Sequence, residues 1–380
     1  MRLLFVADGR SPIALQWIRY FVQRGDEVYL ASTFPAAADL PLKGVKTIAI
    51  AFSHLAGSRL AGSLSSTPSW RTHLRHWLAP LTIPFAARRL RQWAEEIRPD
   101  LIHALRIPYE GMITAGANLP FPWIVSVWGN DFTLHAPASP LLRAWTRSVL
   151  KNTHALHADC QRDIRLAHHW GLPPERATLV IPGNGGVERT TFFPPAAPVL
   201  EPIIIHPRGL RAYVRNDLFF RAAQMVTCAE PGARFLCVGM AGHVAIENLV
   251  RSSGLQETIT LLPSLPHAQM ADLYRQAAIL ISPSVHDGTP NSLLEGMACG
   301  CFPVAGDLES IREWIEMERN GLLYPPTDAQ AMADALLHAL RDPALRQRAR
   351  EYNIELIARR ADYHHNMEQA VEFYRQVIKN

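Results

Sequence analysis

The chain is poor in cysteine. Its 380 residues hold five (Cys160, Cys228, Cys237, Cys299 and Cys301), an odd set with no C-x-x-C pair. That excludes a disulfide framework and a zinc ribbon and predicts reduced thiols in a cytoplasm. Long apolar runs are missing too. Residues 3–7 fall short of a signal-peptide core of roughly 7–15 residues, and nothing elsewhere approaches the ~20 that span a bilayer, so any membrane contact is expected to be peripheral. There is no Gly/Ser, Gln/Asn or like-charge tract, which excludes a disordered chain. The first strand is followed by ADGRSPIALQW, with Gly9 alone where a dinucleotide site needs G-x-G-x-x-G. The net charge of +4, from 38 basic and 34 acidic side chains, is too small to argue for nucleic acid.

What the chain has is a large apolar content, 48%, over a length that favours two cores rather than one. Apolar runs alternate with helix-period segments: strands at 3–7, 27–31, 46–51, 100–104 and 122–127, with helices at 12–24 and 86–97. Pro194, Pro195, Pro198 and Pro202 then crowd ten residues into a stiff linker. Beyond it the pattern restarts. Strands are expected at 203–206, 234–239, 258–262, 278–282 and 301–305, and helices at 216–227, 267–276, 290–298, 308–316 and 328–341. Thr327 is read as the cap of the last helix and Asp342-Pro343 as its stop. A helical tail runs from about 346 to 379. The alternation predicts an α/β protein of two Rossmann-like, doubly wound domains, each a parallel sheet covered on both faces.

The segment from Ser282 to Gly300, SPSVHDGTPNSLLEGMACG, carries the most chemistry. A strand ends at Ser282, Asp287-Gly288 forms a turn, and Thr289 is expected to cap a helix that starts at Pro290. The free N–H groups near Asn291 and Ser292 suit an anion. Asp287 and Glu295 put two carboxylates beside it, which suits hydroxyl donors such as ribose or a sugar ring rather than phosphate itself. Read blandly, this is a capped core helix with two exposed acids. Gly9 likewise either lets a backbone approach a phosphate or is plain turn chemistry.

The pattern PS-x-x-DG-x-x-x-SLLE-x-MA-x-G-x-x-PV resembles the carboxylate motif of retaining GT-B glycosyltransferases of family 4, in which two acids are separated by seven residues. The resemblance implies two Rossmann-like domains facing a central cleft, with residues 1–195 taking the acceptor, 196–201 as linker and 202–355 taking the nucleotide-sugar donor. Residues 356–380 form a helix expected to pack back on the first domain. It implies ribose contact for Glu295, donor-sugar contact for Asp287, here Asp in place of Glu, and main-chain groups near Leu265 reading the base. It also implies that Gly288, Thr289, Asn291 and Ser292 line the diphosphate. Arg208 matches the family arginine that grips the diphosphate. The family lysine has no counterpart, so Arg211 or Arg215 is the candidate substitute; a solvated arginine is the alternative for each. No cofactor or metal is implied, because these cations take the metal's part, and the nucleoside diphosphate sugar is a substrate. A sugar-nucleotide epimerase, a phosphorylase, or a non-catalytic nucleotide-binding scaffold are the alternatives on this fold.

Asn184-Gly185-Gly186-Val187 and Asn320-Gly321-Leu322-Leu323 resemble two further family elements. On the acceptor side, His103 is read either as a cleft residue or as a core histidine at a strand end. Trp128 stands where relatives place an active-site histidine, and it cannot shuttle a proton. Asp131 either contacts the acceptor or caps the next helix. His154, His157 and Cys160 recur every three residues but lack a second ligand cluster, so they are read as a helix or strand surface, not a metal site. From Trp70 to Trp93, Trp70, Trp77, Phe85 and Trp93 interleave with Arg71, Arg75, Arg88, Arg89 and Arg91, a mix that suits an anionic membrane surface or a plain Arg-rich outer helix interrupted by Pro80 and Pro84. The charge divides unevenly: residues 1–195 carry 21 basic against 13 acidic side chains (+8), and residues 196–380 carry 17 against 21 (−4). A basic first domain favours an anionic acceptor, a lipid-linked phosphate or membrane-borne saccharide, met at the inner face of the membrane.

Overall fold

The computed structural model describes residues 1–35, 39–50 and 79–379. Two all-parallel sheets dominate it. The first joins β1 (Arg2–Ala7), β2 (Glu27–Ser32), β3 (Gly44–Thr47), β4 (Leu101–Ala104), β5 (Trp123–Val127), β6 (Ala155–Ala158) and β7 (Ala177–Val180) in the order β3-β2-β1-β4-β5-β6-β7. The second joins β8 (Ile203–His206), β9 (Arg234–Val238), β10 (Ile259–Leu262), β11 (Ile279–Ser282), β12 (Phe302–Gly306) and β13 (Leu322–Tyr324) in the order β10-β9-β8-β11-β12-β13. Strands covered on both faces must be apolar throughout, and residues 3–7 of β1 are all buried. In each sheet the chain reverses its direction of travel once, between β1 and β4 in the first and between β8 and β11 in the second. The crevices beyond the carboxyl ends of those strands are where open α/β sheets bind ligands.

The described chain divides into two compact units. One runs to Gly185 and includes His364 onward; the other is Gly186–Tyr363. Gly185 and Gly186, at the division, have φ of +93° and +123°, which L side chains rarely adopt.

Local signals explain several helix ends. Ser11 Oγ accepts from Ala14 N ahead of the helix Pro12–Gln23, which buries Trp17, Ile18 and Phe21. The tail forms two helices, Pro343–Arg360 and Tyr363–Lys379. The last belongs to the first unit, where Trp17 Nε1 donates to the Tyr374 hydroxyl at 2.8 Å and the Phe21 and Tyr374 rings stack at 4.7 Å.

Several expectations are corrected. Residues 308–316 form turns, because the Asn320 side chain takes the Trp314 carbonyl and the Glu316 N–H out of any helical ladder. The helix Ala329–Arg341 is capped by Asp328, not Thr327; Oδ1 of Asp328 accepts from Gln330 N and Ala331 N. Asp342 both ends that helix and caps the next by accepting from Leu345 N. Pro84 does not interrupt the helix Ile83–Ile97 but lies in its first turn, where a missing N–H costs nothing. Trp70, Arg71, Arg75 and Trp77 lie outside the described residues. The helices Pro140–Asn152 and Gln161–Trp170 and the strands β6 and β7 had no sequence expectation; the strands are four residues each, and β6 carries His157 in its middle.

Candidate functional site

The densest gathering of expected residues lies at the switch point of the second sheet. Arg208 follows β8, and the loop 283–290 follows β11. Arg208 is 7% exposed, and its Nη2 pairs with Asp287 Oδ2 at 2.5 Å while Nη1 donates to Ser292 Oγ at 3.3 Å. Its Nε is buried without a partner among the described residues, as is Asn291 Oδ1. A buried guanidinium is stabilised in its charged form by the Asp287 carboxylate. Two of its five N–H groups are thus engaged and Nε is not, so the fork retains donors for a further anion.

The helix that opens here begins at Asn291, with Pro290 in the cap position and no side-chain cap. Thr289 is corrected accordingly: its Oγ1 accepts from Trp314 Nε1 at 3.0 Å, pinning the loop to the core instead of capping the helix. Ser310 Oγ donates to the Asp287 carbonyl at 2.7 Å and holds the same turn from the other side. Gly288 is buried between them. The uncapped start leaves the first helical N–H groups unclaimed by any side chain, as an anion site needs. One turn on, the partly buried Glu295 has its carboxyl pushed up to about 7 by desolvation, against the pull of the Tyr274 hydroxyl and the Arg208 charge.

The other expected donor residues are less closely gathered. Leu265, in the loop after β10, is half-buried against the core. Arg211 is exposed and donates to the Tyr213 hydroxyl, and Arg215 spends its fork on Asp217 at 2.8 and 2.7 Å. Gly9 belongs to the first unit, and its amide donates to Ser32 Oγ at 3.1 Å, so it closes a strand-end turn instead of offering a free N–H.

In the first unit, His103 is a core histidine. It is 2% exposed, with Nδ1 against the Tyr374 hydroxyl and Nε2 against Ser126 Oγ at 2.8 Å, so the cleft reading is overturned. Asp131 caps no helix. Burial pushes its carboxyl up, and Arg106 Nε at 2.8 Å and the amides of Trp128 and Ile107 hold it. Trp128 is partly exposed, but its Nε1 is buried and has no hydrogen-bond partner among the described residues.

His157 is buried in β6, not on a surface, with Nδ1 to Ser126 Oγ and Nε2 to the Ile181 carbonyl. The ligand-type atoms that do converge are those of Asp159, Cys160 and Asp163. Arg162 donates twice to Asp163, which makes this a charge-paired core cluster. Sequence reasoning missed Glu110, a buried acid after β4 that no motif marks.

Residues 9–183 match the family described as the glycosyl transferase 4-like domain, and residues 201–342 match glycosyl transferases group 1. A D-inositol 3-phosphate glycosyltransferase of Thermobispora bispora is 27% identical over 190 residues, and an alpha-D-kanosaminyltransferase of Streptomyces kanamyceticus 24% over 177. These matches span 45% and 46% of this chain, and less than half of each relative (44% and 46%). A sucrose-phosphate synthase from Thermosynechococcus elongatus superposes with a TM-score of 0.77 at 19% identity over the whole of both chains. The Anabaena protein HepE in complex with UDP superposes at 0.75 and 16%, covering 99% of this chain and 100% of that one. These likenesses make the fold GT-B, and with both halves matched the chain belongs to the group 1, family 4 glycosyltransferases.

Proposed function

We propose that this chain is a retaining glycosyltransferase that moves a sugar from a UDP- or GDP-linked donor to a saccharide or lipid-linked acceptor without a metal. The observation that carries the reading is the cluster of Arg208, Asp287, Ser292 and Glu295 around the uncapped start of the helix Asn291–Ala298. Arg208 and the helix amides hold the diphosphate, Glu295 takes the ribose hydroxyls, and Asp287 takes a hydroxyl of the donor sugar. The bond from C1 to the diphosphate oxygen breaks as the acceptor oxygen bonds to C1 on the same face, and the acceptor's proton passes to the departing phosphate. Arg208 neutralises the charge that grows on that leaving group, the kind of preorganised stabilisation that dominates many active sites.

Structures of HepE with UDP and with UDP-glucose support the donor class. The first unit takes the acceptor. No helix among the described residues is long and apolar enough to cross a membrane. A peripheral role at the inner membrane face rests on the basic first domain and on the helix Ile83–Ile97, which exposes Phe85, Arg88, Arg89 and Arg91. Salt-sensitive binding to anionic vesicles is the expected result. For the donor site, calorimetry with UDP and GDP should show one nucleotide binding wild type and losing affinity in Glu295→Ala; equal binding by both proteins overturns the site.

A further inference from the structure

The two sheets share a topology, so the place that Arg208 and Asp287 occupy in the second has a counterpart in the first, between the loops after β1 and β4. Asp8 and Arg10 follow β1, Thr33 and Phe34 follow β2, and the segment 105–111 follows β4. Glu110 lies in that last segment, 5% exposed. Its carboxyl accepts a hydrogen bond from Thr33 Oγ1 at 2.7 Å, and its backbone carbonyl accepts from Thr114 Oγ1 at 2.9 Å. No ion pair engages it among the described residues.

Burying this acid is costly by construction. Tyr109, just before it, sits at φ +72° and ψ −56°, a strained geometry for a residue with a side chain. At Gly111, just after it, a Cβ would meet Val125 Cγ2 at 3.0 Å and the Arg106 carbonyl at 3.1 Å. The turn is braced by Asp131, which accepts from Ile107 N and pairs with Arg106. Backbone strain beside a desolvated carboxyl, at the crevice where open α/β sheets bind ligands, points to a ligand.

The neighbouring charges narrow its class. Arg10 donates to both oxygens of Asp8 and lies over the Phe34 ring, and Arg106 is committed to Asp131 and Asn130. The cations here are already neutralised, which disfavours a phosphate. In the next loop the buried Trp128 Nε1 offers a donor without a partner among the described residues, and Arg106 lies 5.9 Å from its ring. An acceptor group and a donor group in adjacent loops suit a molecule whose hydroxyls both give and take hydrogen bonds.

We infer that Glu110 binds a hydroxyl of the sugar acceptor and so selects for a polyol on the first unit. This rests on the glycosyltransferase reading above and names the acceptor-recognising residue within it. Desolvation pushes the Glu110 carboxyl up to about 7, with Asp8 raising it and Thr33 and Arg106 lowering it, so its charge changes within the working range.

The experiment measures transfer from UDP-glucose or GDP-mannose, whichever nucleotide binds, to free hexoses and myo-inositol, with nucleotide affinity measured in parallel by calorimetry. Glu110→Ala should raise the acceptor KM by about ten- to a hundredfold, as expected on losing a hydrogen bond to a charged group, with nucleotide affinity unchanged. Glu110→Gln, nearly isosteric and free of any folding penalty from lost volume, should abolish the pH dependence of that KM near neutrality. Thr33→Val, which leaves the carboxyl in place, should move the midpoint of that dependence upward. An acceptor KM within twofold of wild type in Glu110→Ala, or a pH dependence that survives in Glu110→Gln, overturns the proposal. So does wild type that binds nucleotide but uses none of these polyols, an outcome that leaves the donor site standing. Wild type that binds neither nucleotide instead brings down the underlying reading and this one with it.

Discussion

Each unit buries a cluster of polar side chains, and the two clusters are finished differently. In the first, a chain of hydrogen bonds crosses three strands: Trp17 Nε1 to Tyr374, Tyr374 to His103, His103 to Ser126, Ser126 to His157, and His157 to the Ile181 carbonyl. Its direction is fixed from both ends. His157 must donate from Nε2 to a carbonyl, so its Nδ1 accepts from Ser126; Ser126 then accepts from His103 Nε2–H, and His103 Nδ1 accepts from the tyrosine. Every link has a partner, which is how a structural core handles polarity. In the second unit, Arg208 Nε, Asn291 Oδ1, Ser282 Oγ and Ser284 Oγ are buried without partners among the described residues. Polar groups left open at a strand-end crevice are what a ligand completes. The contrast, more than residue type, separates structure from function here.

The sharpest way to break that contrast is to damage each cluster and ask which property fails. Arg208→Met should lower kcat/KM by about 10²–10³, the scale of losing one preorganised charge-stabilising donor. Thermal stability should fall too, since Asp287 and Ser292 lose their partner, but by less than activity, because the Asp287 side chain is 14% exposed and can be solvated. Equal losses of activity and stability would place Arg208 with the structural network instead.

Damage to the first cluster should show the reverse. Ser126→Ala leaves an unsatisfied nitrogen on both His103 and His157 and should cost about 1–3 kcal/mol in urea unfolding, with nucleotide affinity unchanged. The network also has a pH signature. Desolvation pushes His103 well down and His157 down to about 4, so in the folded state both stay neutral where unfolded histidines, near 6.5, take up protons. The histidines' contribution to stability therefore falls as pH drops from about 6.5 toward 4, by up to ~1.4 kcal/mol per pH unit for each histidine. Glu110 and Glu295, raised to about 7, add the opposite slope over the same range, so the contribution is read as the difference between wild type and His157→Gln; a difference that stays flat between pH 7 and 5 would mean the chain admits water or opens.

Why one cluster was legible in the sequence and the other was not follows from this contrast. The residues of the proposed donor site lie on one contiguous stretch, Asp287 to Glu295, plus Arg208, and a strand-turn-helix signal frames them. Most strands of both sheets were readable from alternating apolar runs, because strands covered on both faces leave a dense pattern, while the three- and four-residue strands β6, β7 and β13 left none. His103 was ambiguous because its partners, Ser126, His157 and Tyr374, lie 23 to 271 residues away. Glu110 was invisible for the same reason: its burial depends on Thr33, Asp131 and a strained turn, none of which leaves a local motif. The misplaced caps at Thr289 and Thr327 show a smaller limit, since a hydroxyl beside a helix start signals a cap only when no tertiary donor or neighbouring carboxylate competes for the role.

Within the second cluster, Glu295 sets function against stability. Its carboxyl holds a proton up to about 7 when folded, against about 4.5 when exposed, so ionisation above that range costs folding free energy. Glu295→Gln should therefore stabilise the protein at pH 8, by on the order of 1 kcal/mol, and by less at pH 5, where the folded carboxyl is already neutral. Nucleotide affinity should fall in the same variant. Destabilisation at pH 8 would mean that the carboxylate is a structural acceptor.

The smallest effect is expected at Arg215, with Arg211 one of the two candidates for the charge that the family lysine supplies. Its guanidinium donates from Nε and Nη2 to the two oxygens of Asp217, a half-exposed side chain at the start of the helix Asn216–Ala229. An arginine already committed to a surface carboxylate gains little by leaving it, and exposed pairs contribute about 0.2–1 kcal/mol to stability. Arg215→Ala should accordingly shift unfolding by less than about 1 kcal/mol and nucleotide affinity by less than about threefold. A larger loss of affinity in Arg215→Ala, together with a weaker salt dependence of binding, would mean that the fork swings from Asp217 to the diphosphate, and the second cluster would then extend to the head of that helix.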